Sequence, residues 1–169
     1  MDKRYFLIIF IVAIACINLF IISNNSDIIG TASADFNEVT FSLPPNYELI
    51  NTNTKYIQFR NPSSGFMALS YFNGSAENAY NTRINQINNS SDKTLLSYGV
   101  VNTSDIPIYS VFYESTNENG VSNNESSFYF NKLGFCFRID MGSFNYQNRN
   151  STVDTVIYIA ESMRPNLKQ

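Results

Sequence analysis

The sequence predicts an α+β fold: a mainly antiparallel sheet flanked by helices, preceded by one N-terminal transmembrane helix. Three observations predict it. Residues 5–22 form an unbroken apolar run. Most later segments alternate apolar and polar residues and are joined by short turn motifs. Two other segments repeat apolar residues at helical spacing, one in mid-chain and one near the end, with no βαβ rhythm between them.

The run Tyr5 to Ile22, at roughly 18 residues, just reaches the length that crosses a hydrocarbon core as a helix. It holds no charge, and only Asn18 is frankly polar. Lys3 and Arg4 precede it, while the first charge after it is Asp27, an asymmetry that favours a cytoplasmic N-terminus. Residues 1–23 are therefore read as a signal anchor, 24–35 as a flexible spacer, and 36–169 as an extracytoplasmic α+β domain. The alternative is a secretory signal cut after Ala34, since Ala32-Ser33-Ala34 has the A-x-A form. Against cleavage, the run exceeds the ~7–15 residues of a signal core, and SNNSD moves the cut site away from the membrane. Cys16 lies within the run, followed by more apolar residues, and reads as an ordinary small residue of the span.

Phe36 to Leu43 alternates, with Val39, Phe41 and Leu43 on one face, and reads as a half-buried strand stopped by Pro44-Pro45. Tyr47 to Ile50 continues as a short extended piece. Lys55 to Arg60 and Phe66 to Phe72 follow as strands around Asn61-Pro62-Ser63-Ser64-Gly65. Ser75 is placed to cap a helix from Ala76 to Asn88, whose stripe is Ala76, Ala79, Tyr80, Ile84 and Ile87. Thr94 to Val101 and Ile106 to Ser115 read as strands, and Thr116 to Asn124 as a polar, mobile tip. Ser126 to Met141 reads as a hairpin. Turn chemistry favours a three-residue loop with Gly134 left-handed. A two-residue loop, taken to oppose Phe130 with Phe135 and Phe128 with Phe137, packs better, and the register stays open. Asn150 or Ser151 would cap a final helix, with Asp154 completing a box and Val153, Val156, Ile157, Ala160 and Met163 as its stripe. Pro165 ends it.

The segment Phe41-Ser42-Leu43-Pro44-Pro45-Asn46-Tyr47 resembles the opening of PsbP-like and Mog1-like domains, including small membrane-anchored archaeal relatives. The aromatic hairpin and the last helix, ending in Ser162-Met163, are similar to that family's closing unit. The resemblance spans roughly residues 36–164. It implies an antiparallel sheet flanked by helices, used as a non-catalytic binding or assembly module, with no catalytic motif to carry over. Tyr47 stands in the aromatic slot of a chain that has no tryptophan.

Composition narrows the chemistry. The chain has 169 residues, 44% of them hydrophobic and 15% aromatic, and a net charge of −3. A core is affordable, and without a basic cluster nucleic acid is not an expected partner. The chain has no histidine, so a Ser- or Cys-type triad lacks its base, and zinc lacks a Cys/His set. Neither a Walker-type nor a G-x-G-x-x-G loop occurs. No catalytic, cofactor or metal site is expected.

Cys136, between Phe135 and Phe137, reads as a packed thiol. Asp92, Asp105 and Glu125 read as solvated loop charges. Arg138 and Asp140 share a face with Cys136. Under a helix they would be a structural ion pair, the preferred reading; left open, they would line a binding patch. Tyr56, Tyr71, Tyr98, Tyr109, Tyr113, Tyr129, Tyr146 and Tyr158 are spread over the predicted elements and read as core edges. Asn24, Asn73, Asn88, Asn89, Asn102, Asn124 and Asn150 head N-x-S/T triplets and are candidate N-glycosylation acceptors on an exported domain.

The expected function is a membrane-anchored, surface-displayed, non-catalytic binding or scaffolding domain, with an extracytoplasmic protein or envelope partner. The alternatives are a carboxylate-dependent hydrolase and a structural envelope component.

Overall fold

The computed structural model describes residues 32–36, 39–62 and 65–166. The expected anchor and the start of the spacer lie outside them. Among the described residues no helix is long and apolar enough to cross a membrane.

Seven strands form the central antiparallel sheet: β3 (Glu48–Thr52), β4 (Tyr56–Asn61), β5 (Gly65–Phe72), β6 (Lys93–Asn102), β7 (Pro107–Thr116), β8 (Ser122–Lys132) and β9 (Phe135–Gly142). Their order is β3-β4-β5-β9-β8-β7-β6. Helix α1 (Ala76–Asn88) packs on one face, over β6, β7 and β8. The other face meets helix α2 (Arg149–Ser162) and a small sheet in which β2 (Val39–Leu43) lies between β1 (Ala32–Phe36) and β10 (Arg164–Pro165).

Strand alternation divides β9 between the two cores. Phe137, Ile139 and Met141 join Phe59, Met67, Leu69, Phe128 and Phe130 in the larger cluster, with Phe41, Val156 and Ile159. Cys136 instead joins Ala76, Tyr80, Ile87, Val111, Tyr113 and Tyr129 under α1. A fully buried Phe or Ile contributes about 1.5–3 kcal/mol, so the larger cluster is the main stabiliser of a domain whose single described cysteine is free.

Several elements differ from expectation. Phe36 to Leu43 is a hairpin, not one strand: Phe36 pairs with Val39, and Ala32 with Leu43. Residues 32–35, expected in the spacer, are therefore part of β1. The 126–141 hairpin does turn in two residues, Leu133 and Gly134, with φ of 52° and 85°. Lys132 then opposes Phe135, Phe130 opposes Phe137 and Phe128 opposes Ile139, because the pairs expected for that loop need four residues in it.

β8 also begins earlier, at Ser122, so the expected tip shrinks to residues 117–121. Asn117 Oδ1 ties it by accepting from the amides of Asn119 and Val121, both at 3.0 Å. The last helix begins at Arg149, ahead of both expected caps. Its entry is a 3₁₀ turn over Tyr146–Asn148, where Asn145 Oδ1 accepts from Gln147 N at 3.0 Å. The helix is rotated accordingly, with Thr152 and Ile159 buried while Val153 and Ile157 are only half-buried. Ser75 caps α1 as expected, its side chain accepting from Asn78 N.

Candidate binding trough beside the first helix

α1 covers only part of its sheet face. Beyond its flank, β4, β5 and β9 carry an open strip whose register is fixed by pairing. Tyr56 lies opposite Ser70, Gln58 opposite Ala68 and Arg60 opposite Phe66. Ser70 in turn lies opposite Arg138, and Ala68 opposite Asp140.

Alternation on β5 therefore presents Phe66, Ala68, Ser70 and Phe72 to one side. The two small residues sink the floor between two exposed rings, Phe66 at 47% and Phe72 at 39% exposure. The result is a trough. Its middle is a hollow of about 350 Å³ lined by Lys55, Tyr56, Gln58, Ala68, Ser70, Arg138 and Asp140. One end runs past Tyr113 and Glu125. The other runs along Ala79, Thr82, Arg83 and Gln86 of α1.

Two hydrogen-bonded sets stiffen it. Arg138 donates from Nε to Asp140 Oδ2 at 2.6 Å, with Nη2 at 2.5 Å from the same oxygen, and Ser127 Oγ donates to Asp140 Oδ1 at 2.7 Å. Ser115 Oγ donates to Glu125 Oε1 at 2.5 Å. Arg83 Nη2 donates to the Tyr113 hydroxyl at 2.5 Å.

Burial pushes the Tyr113 phenol up to about 12, reinforced by its hydrogen bond to Glu125 and opposed by Arg83. Burial also raises Tyr129, aided by Asp140. For Arg83, burial works against the charge, but Tyr113, Tyr129 and Asp140 outweigh it and the net shift is upward. The guanidinium stays charged.

The sequence-derived candidates fall as follows. The Arg138–Asp140 pair forms at the flank of α1 rather than beneath it, with side chains 47% and 29% exposed, so the expected covered face is open here. Glu125 lies within β8, facing the trough, rather than in a loop, because the polar stretch Ser122–Glu125 pairs with β7. Cys136 is fully buried, and burial lifts its thiol to about 11, which keeps it protonated. Asp92 is held by Ser90 and Lys93.

Of the sequons, Asn73, Asn88, Asn89, Asn102 and Asn150 are exposed. Asn89 Nδ2 also donates to Asn85 O at 2.9 Å. Asn124 is half-buried and donates to Phe144 O at 3.3 Å. Asn24 lies outside the described residues. None of the described sequons lines the trough. Among the described residues no group of three or more His, Cys, Asp or Glu gathers to hold a metal.

A second hollow of about 300 Å³ lies at the start of α2, between Pro44, Pro45, Tyr47 and Phe144 on one side and Asn145, Asn148 and Ser151 on the other. Its lining carries no charge, whereas the trough carries both signs.

This architecture is shared with solved proteins. The solution structure of cyanobacterial PsbP from Synechocystis sp. PCC 6803 matches with a TM-score of 0.52 at 12% identity, over 81% of this chain and 95% of that one. A protein of Bacteroides thetaiotaomicron VPI-5482 matches with a TM-score of 0.56 at 10% identity, over 82% of this chain. This chain spans only 50% of the length of that second protein. At these identities the likeness establishes a PsbP-like fold. No family model matches the sequence, and no curated protein matches it.

Proposed function

We propose that this chain is a membrane-anchored, extracytoplasmic, non-catalytic binding domain that presents the trough to a partner. The reading places it beside the small membrane-anchored relatives of the PsbP-like and Mog1-like group. The observation that carries it is the open strip itself: two exposed phenylalanines, a small-residue floor and a charged pair, left uncovered beside a helix that packs over β6, β7 and β8. The apolar run of residues 5–22 behind Lys3 and Arg4 supports the anchoring and the orientation.

Glu125 and Asp140 border one end of the trough together, the one feature that favours a carboxylate-dependent hydrolase. Both carboxylates are engaged as acceptors, by Ser115 and by Arg138 with Ser127. These bonds tie both into the wall of the trough, so binding is the better reading.

The test uses the full chain in intact cells. A thiol at the exposed position Gln147→Cys should react with a membrane-impermeant maleimide, against a low background from buried Cys136. A photo-crosslinker at Gln58, but not at Gln147, should give a discrete adduct. Labelling only after lysis overturns the anchored, outward reading. Hydrolytic activity abolished by Asp140→Asn overturns the non-catalytic one.

A further inference from the structure

Resting on the reading of the trough as a binding surface, we propose that its occupant is an extended acidic peptide segment of a partner protein, with apolar side chains at its two ends. Length is the first argument. Phe66 and Phe72 are six residues apart on one strand, about 20 Å, which is the reach of about six residues of extended chain. Between them, Ala68 and Ser70 leave room for side chains pointing down.

Charge is the second. The chain as a whole is acidic, with a net charge of −3. Around the trough the balance reverses: Lys55, Arg60, Arg83 and Arg138 stand against Glu48, Glu125 and Asp140. Glu125 and Asp140 are already engaged within the protein. Lys55 and Arg60 are exposed, and Arg138 uses Nε and Nη2 on Asp140, leaving Nη1 for a ligand. Arg138 and Asp140 cancel as a pair, which leaves Lys55, Arg60 and Arg83 against Glu48 and Glu125.

The exposed rings decide between kinds of polyanion. An acidic polysaccharide meets aromatic rings only with the flat C–H faces of its sugars, whereas a peptide brings carboxylates together with apolar side chains that can cover Phe66 and Phe72. Arg60 already lies over the Phe66 ring at 6.0 Å, so cation and apolar surface are offered side by side.

The experiment pans a random heptapeptide display library on the full-length chain in lipid nanodiscs. Enriched sequences should carry at least two acidic residues flanked by apolar ones. A synthetic copy of the leading sequence should bind at least ~10-fold more weakly to the Lys55→Glu, Arg60→Glu double variant. It should lose affinity similarly on Ala68→Phe, which fills the floor, and at high salt. Melting curves of both variants should show a folded protein. No enrichment, enrichment of basic or uncharged sequences, or binding that survives both variants overturns the proposal. Alginate serves as the polysaccharide arm. If it binds, loses affinity on Ala68→Phe, and no peptide is enriched, the peptide is ruled out while the trough stands as a binding surface.

Discussion

Arg83 reaches from α1 across the sheet to Tyr113 on β7, setting its guanidinium 4.8 Å from the ring centroid and donating Nη2 to the hydroxyl at 2.5 Å. One side chain thus clamps the helix to the sheet at the wall of the trough. Such a contact combines a cation–π term with a charge-assisted hydrogen bond. Arg83→Ala is expected to lower stability by about 1–2 kcal/mol, read as a fall in the urea midpoint. Arg83→Lys should recover less than half of this, because an ammonium cannot lie across the ring and donate in one plane. Full recovery by lysine would mean that charge alone matters here.

Alkaline pH should loosen the same layer. Cys136 and Tyr113 are neutral when protonated, and burial raises their folded pKa values from 9.0 to about 11 and from 10.0 to about 12. A folded pKa above the unfolded one stabilises the fold fully below the unfolded value and stops doing so as pH rises through the folded value. Stability should therefore hold to pH 9, fall between pH 9 and 11 as Cys136 titrates, and fall further to pH 12 with Tyr113. Each step is worth roughly 2–3 kcal/mol at most. Cys136→Ala should flatten the first step in urea titrations across pH; an unchanged step would place it elsewhere.

Much of this architecture is written in local pattern. The alternation of Val39, Phe41 and Leu43, the cap at Ser75 and the stripe of α1 all lie where periodicity puts them. The failures share a cause: nothing local marks them. The turn between Phe36 and Val39 contains neither glycine nor proline. Ser122–Glu125 has no apolar alternation and is a strand only because β7 pairs with it. In the trough, Phe66, Ala68, Ser70 and Phe72 are legible as one face of one strand. That α1 leaves the strip around Ala68, Ser70 and Asp140 open depends on how the helix settles against Val111, Tyr113, Tyr129 and Cys136, which no spacing in the chain records.

Two glycines with left-handed backbone should respond very differently to alanine. At Gly65, φ is +82°, and a Cβ would sit 2.1 Å from the backbone oxygen of Gly142 on the neighbouring strand. At Gly134, φ is +85°, but a Cβ would meet nothing within 4 Å. Gly134→Ala should cost about 1 kcal/mol, the strain of the conformation alone. Gly65→Ala should cost at least ~3 kcal/mol, because β5 must move away from β9. Equal losses in thermal melts would show that the close approach of the two strands is not what requires glycine at 65.

Arg138 and Asp140 meet at 2.5 Å with side chains 47% and 29% exposed, which sets how much they can do for the fold. An ion pair this open is screened by water and loses side-chain entropy to keep its geometry, and such pairs typically measure about 0.2–1 kcal/mol. A double-mutant cycle through Arg138→Gln and Asp140→Asn should therefore return a coupling below about 1 kcal/mol, weaker still at high salt. That outcome fits two charges kept at the floor of the trough to meet a partner. A coupling well above that range would mean that the pair holds β9 in place, and the case for a binding surface would lose its central polar group.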